Sequence, residues 1–127
     1  MRLLLDTHIL LWCLQDDDNL PDQARQLILS ADAVYASAAN IWEIIIKTST
    51  GKLKIETDPP DLVQAIADSG FEMIYIKPEH ALKLMDLEDF HRDPFDRILI
   101  AQSLVEPLHL VTCDSVVAQY GGNVVPV

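Results

Sequence analysis

Short apolar runs recur along this chain, and each is followed by a segment with helical spacing. That alternation limits the fold more than any other feature. Arg2–Leu5 reads as a strand ending at Asp6, and Thr7–Leu14 reads as a helix. After the polar turn Asp16–Asn19, a second helix spans Pro21–Ser30, with Pro21 near its start. Ala33–Ala36 is a brief strand, and Ser37 is suited to cap a helix over Ala38–Thr50 that Gly51 stops. A helix over Asp58–Ser69 is opened by Pro59 and Pro60 and closed by Gly70. Phe71–Ile76 alternates like a strand, and Pro78–Met85 is helical. Asp93 caps a helix that runs from Pro94 through Leu104. A strand at Leu108–Val111, a short helix at Ser115–Tyr120 and a last strand at Val124–Val125 complete the chain. This order predicts an α/β fold, a three-layer α/β/α sandwich around a mostly parallel sheet of four to five strands. The 127 residues are 50% apolar and contain no repeat or linker, so a single domain over 1–127 is expected.

Four carboxylates stand at the ends of these apolar runs or inside them: Asp6 in RLLLD, Glu43 in IWEIII, Asp96 in FDRILIA and Asp114 in LHLVTCD. An acid in apolar sequence is costly unless something pairs with it. Ligands of parallel α/β sheets bind outside the carboxyl ends of the strands, and these acids fall near such ends. Brought to one rim they would repel one another and demand a cation, which is the pattern of a hard-metal site and of phosphoryl chemistry. Each acid also has a plainer reading. Asp6 and Asp114 can cap the helices that follow them. Asp96, three residues after Asp93, can complement a helix dipole as in a capping box. Glu43 can pair with Lys47 one helical turn on, worth only ~0.3–0.5 kcal/mol.

The net charge of -11 argues against a nucleic-acid binder unless bound metal reverses the local field. Cys13 and Cys113 lack zinc or CxxC spacing and read as buried thiols. The opening residues resemble a signal peptide, but Asp6 and His8 interrupt the run and no small-residue cleavage site follows. No apolar run is long enough for a membrane span, so a soluble, cytoplasmic protein is expected.

Taken together, the segments LLLDTH, SAANIWE, HRDPFDRILIAQS and VTCD resemble a PIN domain. More narrowly, they resemble the toxins of VapC-type toxin–antitoxin pairs. The resemblance spans essentially the full length, and HRDPFDRILIAQ is its most specific segment. It implies an Mg2+-dependent endoribonuclease, with Mn2+ as a substitute ion, acting on RNA and restrained by a small cognate antitoxin. Asp6, Glu43, Asp96 and Asp114 match the family's four acidic positions, which implies that they are both metal ligands and catalytic residues. Thr7, Ser37 and Thr112 match its small hydroxyl positions, supporting the ligands from behind. Asn40 stands where relatives often carry Ser, and Asp93 is a second acid near the third position, where the family pattern favours Asp96.

Candidate phosphate contacts are Arg97, which adjoins Asp96, then Arg92, with Lys47, Lys52 and Lys54 behind them. Solvated surface charge is the simpler reading of most. The helices at Thr7–Leu14 and Ala38–Thr50 carry more apolar positions than one core-facing stripe needs, so a homodimer, an antitoxin groove, or both are expected. TSTGKL is no phosphate loop, because Ile46 replaces the first glycine, and DDDN lacks the glycine and distal Glu of a calcium loop. His8, His80, His91 and His109 have no ligand spacing; His91 reads as a surface-loop residue, or alternatively as a general acid. Trp12 and Trp42 read as core or interface residues. Two other functions fit the same outline. One is an Mg2+-binding phosphoacceptor domain of the receiver type, although Asp6 stands alone and no acid closes the third strand. The other is a non-catalytic PIN-like binding module.

Overall fold

A computed structural model describes all residues 1–127. Five strands, β1 (Arg2–Leu5), β2 (Ala33–Ser37), β3 (Glu72–Ile74), β4 (His109–Thr112) and β5 (Val124–Pro126), form one sheet in the order β3-β2-β1-β4-β5. Every neighbouring pair is parallel. The helices are α1 (Thr7–Leu14), α2 (Asp22–Ser30), α3 (Ala38–Ser49), α4 (Pro59–Asp68), α5 (Pro78–Lys83), α6 (Pro94–Val105) and α7 (Ser115–Ala118). No helix is long and apolar enough to cross a membrane.

The expected sandwich is the one observed. Successive side chains of a strand point to opposite faces, and β1 uses both. Leu3 and Leu5 pack with Ile9, Leu10, Ala24 and Ile66, a core under α1, α2 and α4. Leu4 packs on the other face with Ala39, Ile98, Leu99 and Val117, under α3, α6 and α7. A sheet covered on both faces explains why its strands read as unbroken apolar runs. A third, small cluster of Leu11, Ile44 and Leu62 joins α1, α3 and α4.

Several boundaries move by a residue or two, as expected where helix ends fray. β3 keeps only Glu72–Ile74 of the expected run, because Tyr75 and Ile76 have passed the sheet edge and are exposed. α5 ends at Lys83, and its last turn tightens into a 3-10 turn over Leu84–Asp86. The expectation of buried thiols is corrected: Cys13 is half-buried, Cys113 is exposed, and both are free.

Strand order decides where a ligand can sit. β2 and β3 extend the sheet on one side of β1, while β4 and β5 extend it on the other. The connections diverge between β1 and β4, leaving a crevice above their carboxyl ends. The same order removes the receiver reading, since receivers run β2-β1-β3-β4-β5.

Candidate metal centre

A cavity of about 430 Å³ opens at this crevice. It is lined by Asp6, Glu43, Asp93, Asp96 and Asp114, with Lys47, His91, His8, Trp12 and Cys113. Its acids come from the whole length of the chain, and each is placed by a local device.

Asp6 follows β1 directly and is 6% exposed. Its backbone N–H donates to Val111 O, which extends the β1–β4 pairing up to the crevice. One carboxylate oxygen accepts from Thr7 N at 2.6 Å and the other from Thr112 Oγ1 at 2.5 Å. Burial pushes this carboxyl above its ordinary range, although both hydrogen bonds pull it down. The capping reading therefore holds only weakly, since Asp6 reaches no N–H beyond Thr7.

Glu43 rides on α3 and is 2% exposed. Ser37 caps this helix by accepting from Ala39 N, and Asn40 closes a capping box by accepting from Ser37 N at 2.7 Å. The amide of Asn40 also donates to Leu5 O and to Thr7 Oγ1 at 2.9 Å, and Thr7 Oγ1 donates in turn to Glu43 Oε1. Asn40 thus locks α3 to the end of β1. Ser37 Oγ donates away from the cavity, to Gln102 Oε1 at 2.6 Å.

Asp93 and Asp96 open α6 and divide the work between them. Asp93 is the cap: its Oδ1 accepts from Phe95 N and Asp96 N, and its Oδ2 from Lys47 Nζ at 3.1 Å. Burial raises the Asp93 carboxyl, but Lys47 and the two N–H groups outweigh it and hold it below its usual range. Asp96 has less help, from Lys47 at a distance and from His91. Burial, then the charges of Asp6, Asp93 and Glu43, push its carboxyl up to about 8. Asp114 is both cap and cavity residue: Oδ1 accepts from Val116 N and Val117 N, while Oδ2 lies 3.8 Å from His91 Nε2.

Two basic groups enter the cavity that sequence reasoning underrated. Lys47 Nζ bridges Glu43 Oε2 at 2.5 Å and Asp93 Oδ2 at 3.1 Å, and these acids hold its ammonium above its usual range against the opposing effect of burial. His91 is no free surface residue. Its Nδ1 accepts from Asp93 N at 3.3 Å, so the ring proton sits on Nε2, which donates to Asp96 Oδ2 at 2.8 Å. The only sequence hint was its place three residues before Pro94 in HRDPFD.

Arg97 does not line the cavity. Its guanidinium donates to Glu88 O at 2.9 Å, His91 O at 3.3 Å and Tyr120 Oη at 3.1 Å, bracing the segment before α6. In this position Arg97 acts as a strut beside the cavity. Arg92 is exposed next to His91. Lys52 and Lys54 are exposed beyond α3, and Lys54 lines a separate surface hollow.

The donor set fits a divalent cation. Oxygens of Asp96 and Asp114 lie with His91 Nε2 within 4.8 Å of one another, as do oxygens of Glu43, Asp93 and Asp96. Carboxylates crowded enough to hold Asp96 protonated near neutral pH would ionise around a dication. Oxygen donors suit a hard ion such as Mg2+ or Mn2+ rather than a thiophilic one.

Comparison with known proteins agrees with this arrangement. No curated protein sequence matches. Solved structures share the fold, three of them as follows. VapBC2 from Rickettsia felis, bound to a DNA fragment from its promoter, aligns at TM-score 0.69 and 18% identity over 100% of this chain and 98% of that one. A toxin–antitoxin complex from Klebsiella pneumoniae aligns at 0.66 and 19%, over 97% of this chain and 95% of that one. FitAcB from Neisseria gonorrhoeae aligns at 0.62 and 16%, over 91% and 89%. The PIN domain family model matches residues 3–123, from β1 to the residue before β5, taking in every acid of the cavity. With sheet order, crevice and sequence in agreement over nearly the whole chain, this protein belongs to the PIN domain family.

Proposed function

We propose that this chain is an Mg2+-dependent endoribonuclease, with Mn2+ as a substitute ion, and the toxin of a type II toxin–antitoxin pair working in the cytoplasm. The observation that carries this reading is the convergence of three buried acids, Asp6, Glu43 and Asp96, with Asp114 at the β1–β4 crevice. Crowding these carboxyl groups in a buried place is costly, and a bound cation would offset the cost that Lys47 alone leaves.

Asp6, Asp96 and Asp114 would hold the ion, and Glu43, whose oxygens already accept from Thr7 and Lys47, would complete the set through water. Thr112 and the Thr7 N–H fix both oxygens of Asp6, while His91 fixes one oxygen of Asp96. When bound, the ion activates a water and offsets the negative charge that develops on the attacked phosphodiester. It also changes the sign of the local field, so that an RNA phosphate can approach a protein of net charge -11. Arg92, exposed beside His91, would contact the phosphate.

The antitoxin reading draws on two observations. One of the structures that share the fold is a toxin–antitoxin complex, from Klebsiella pneumoniae. In addition, α3 leaves Trp42 53%, Ile45 47% and Ile46 42% exposed, a surface suited to an apolar partner segment or to a second copy of the chain. The decisive experiment is an RNA-cleavage assay with Mg2+, Mn2+ or EDTA, run beside Asp6→Asn and Asp96→Asn. We expect cleavage only with metal, and a fall on the order of 100-fold or more in each variant. Cleavage that survives both EDTA and the substitutions would end the metal-nuclease reading, and no cleavage with any metal would leave the acids to a binding module.

A further inference from the structure

The cavity acids form two groups that share Asp96, one with Glu43 and Asp93, the other with His91 and Asp114. Two groups of this size would ordinarily suggest two ions. They differ in how far their oxygens are already committed.

In the first group, Glu43 Oε1 accepts from Thr7 Oγ1 and Oε2 from Lys47 Nζ. Asp93 Oδ1 accepts from two backbone N–H groups and Oδ2 from Lys47 Nζ. Every oxygen of these two residues therefore faces a donor, and the donor they share is a full positive charge. In the second group, Asp114 Oδ2 has only His91 at 3.8 Å, and Asp96 is bonded only through one oxygen, to His91. Those oxygens are free to take a new ligand.

Lys47 is also held where it is. It lies one helical turn after Glu43 on α3, and its side chain is 26% exposed. A hydrated ion placed between Glu43 and Asp93 would have to expel the ammonium from its two ion pairs. If the ammonium stayed, the two cations would repel each other at short range in a poorly solvated cavity.

From this geometry we propose that Lys47 serves as a built-in cation in the place of a second metal, so that the centre binds one divalent ion, on the side of Asp96 and Asp114. The proposal rests on the metal-nuclease reading and extends it to the number of ions.

The test is the stoichiometry of Mn2+ binding to the intact purified chain, read from the electron paramagnetic resonance signal of free Mn2+. The wild type should bind one ion per chain. Lys47→Met and Lys47→Ala, checked for folding by circular dichroism, should bind two, because Glu43 and Asp93 lose their partner. Two ions in the wild type, or one in a folded variant, would overturn the proposal. Should neither variant fold, the wild-type stoichiometry decides alone, one ion supporting the proposal and two overturning it. RNA cleavage measured alongside separates the two claims. A wild type that cleaves with two ions removes the role of Lys47 and keeps the nuclease, whereas one that binds no Mn2+ removes both.

Discussion

Asn40 is the residue on which the geometry of the centre turns, though it is absent from the cavity wall. It is fully buried, and its amide accepts from Ser37 N and donates to Leu5 O and Thr7 Oγ1. Two of those partners lie more than thirty residues away in the chain. Replacing it with Ala would leave the Leu5 carbonyl and the Ser37 N–H without partners in a dry place. We expect Asn40→Ala to cost about 1–3 kcal/mol, read as a lower urea midpoint at unchanged slope. From sequence this residue registered only as an Asn where related chains often have Ser, because a hydrogen bond between distant segments leaves no local trace. His91 was illegible for the same reason. Its spacing matches no ligand motif, and only the packing of its loop brings Nε2 to Asp96.

At the scale of elements, the segment leading into α6 and the exposed face of α3 depart most from what their sequences suggest. The stretch from Leu84 to Asp93 has little regular structure beyond one 3-10 turn, and Arg97 ties it down from the first turns of α6. Tyr120 joins in, since its hydroxyl accepts from both His91 N and Arg97. Arg97→Ala should therefore loosen this segment and release His91. We expect a loss of about 1–3 kcal/mol and faster amide exchange between residues 84 and 93. Arg97→Lys should rescue little, because a single ammonium cannot reach carbonyls that a planar fork bridges. The surplus of apolar residues expected on two helices survives on only one. α1 loses it, because Ile9, Leu10 and Leu11 are all buried between β1, α2, α3 and α4. α3 keeps it in Trp42, Ile45 and Ile46, with Trp42 resting edge-on against Phe95 of α6.

For the molecule as a whole, the acidic crevice ties stability to pH and to metal. The Asp96 carboxyl titrates near about 8 in the folded chain and near ~4 when unfolded, so between those values the native state holds a proton that the unfolded state has lost. That contribution is complete below about pH 4 and fades as pH rises towards 8. Asp6 shifts in the same direction, while Asp93 shifts oppositely and loses its contribution on acidification. In EDTA, the melting temperature should fall from pH 5 to pH 8, and Asp96→Asn should flatten that fall. Saturating Mn2+ should restore the lost stability at pH 8 by ~2.7 kcal/mol at a hundredfold excess over its dissociation constant. A pH-independent melt in EDTA would contradict the crowding of these acids. The α/β class and four of the five acids that line the cavity followed from the sequence alone, because strand and helix periodicity and the cost of acids in apolar runs are local properties. The partners of those acids were settled only by the tertiary structure. Strand order places β1 beside β4 and opens the crevice, and packing then brings Lys47, His91 and Asn40 to it. Those contacts span long separations in the chain, and no local pattern encodes them.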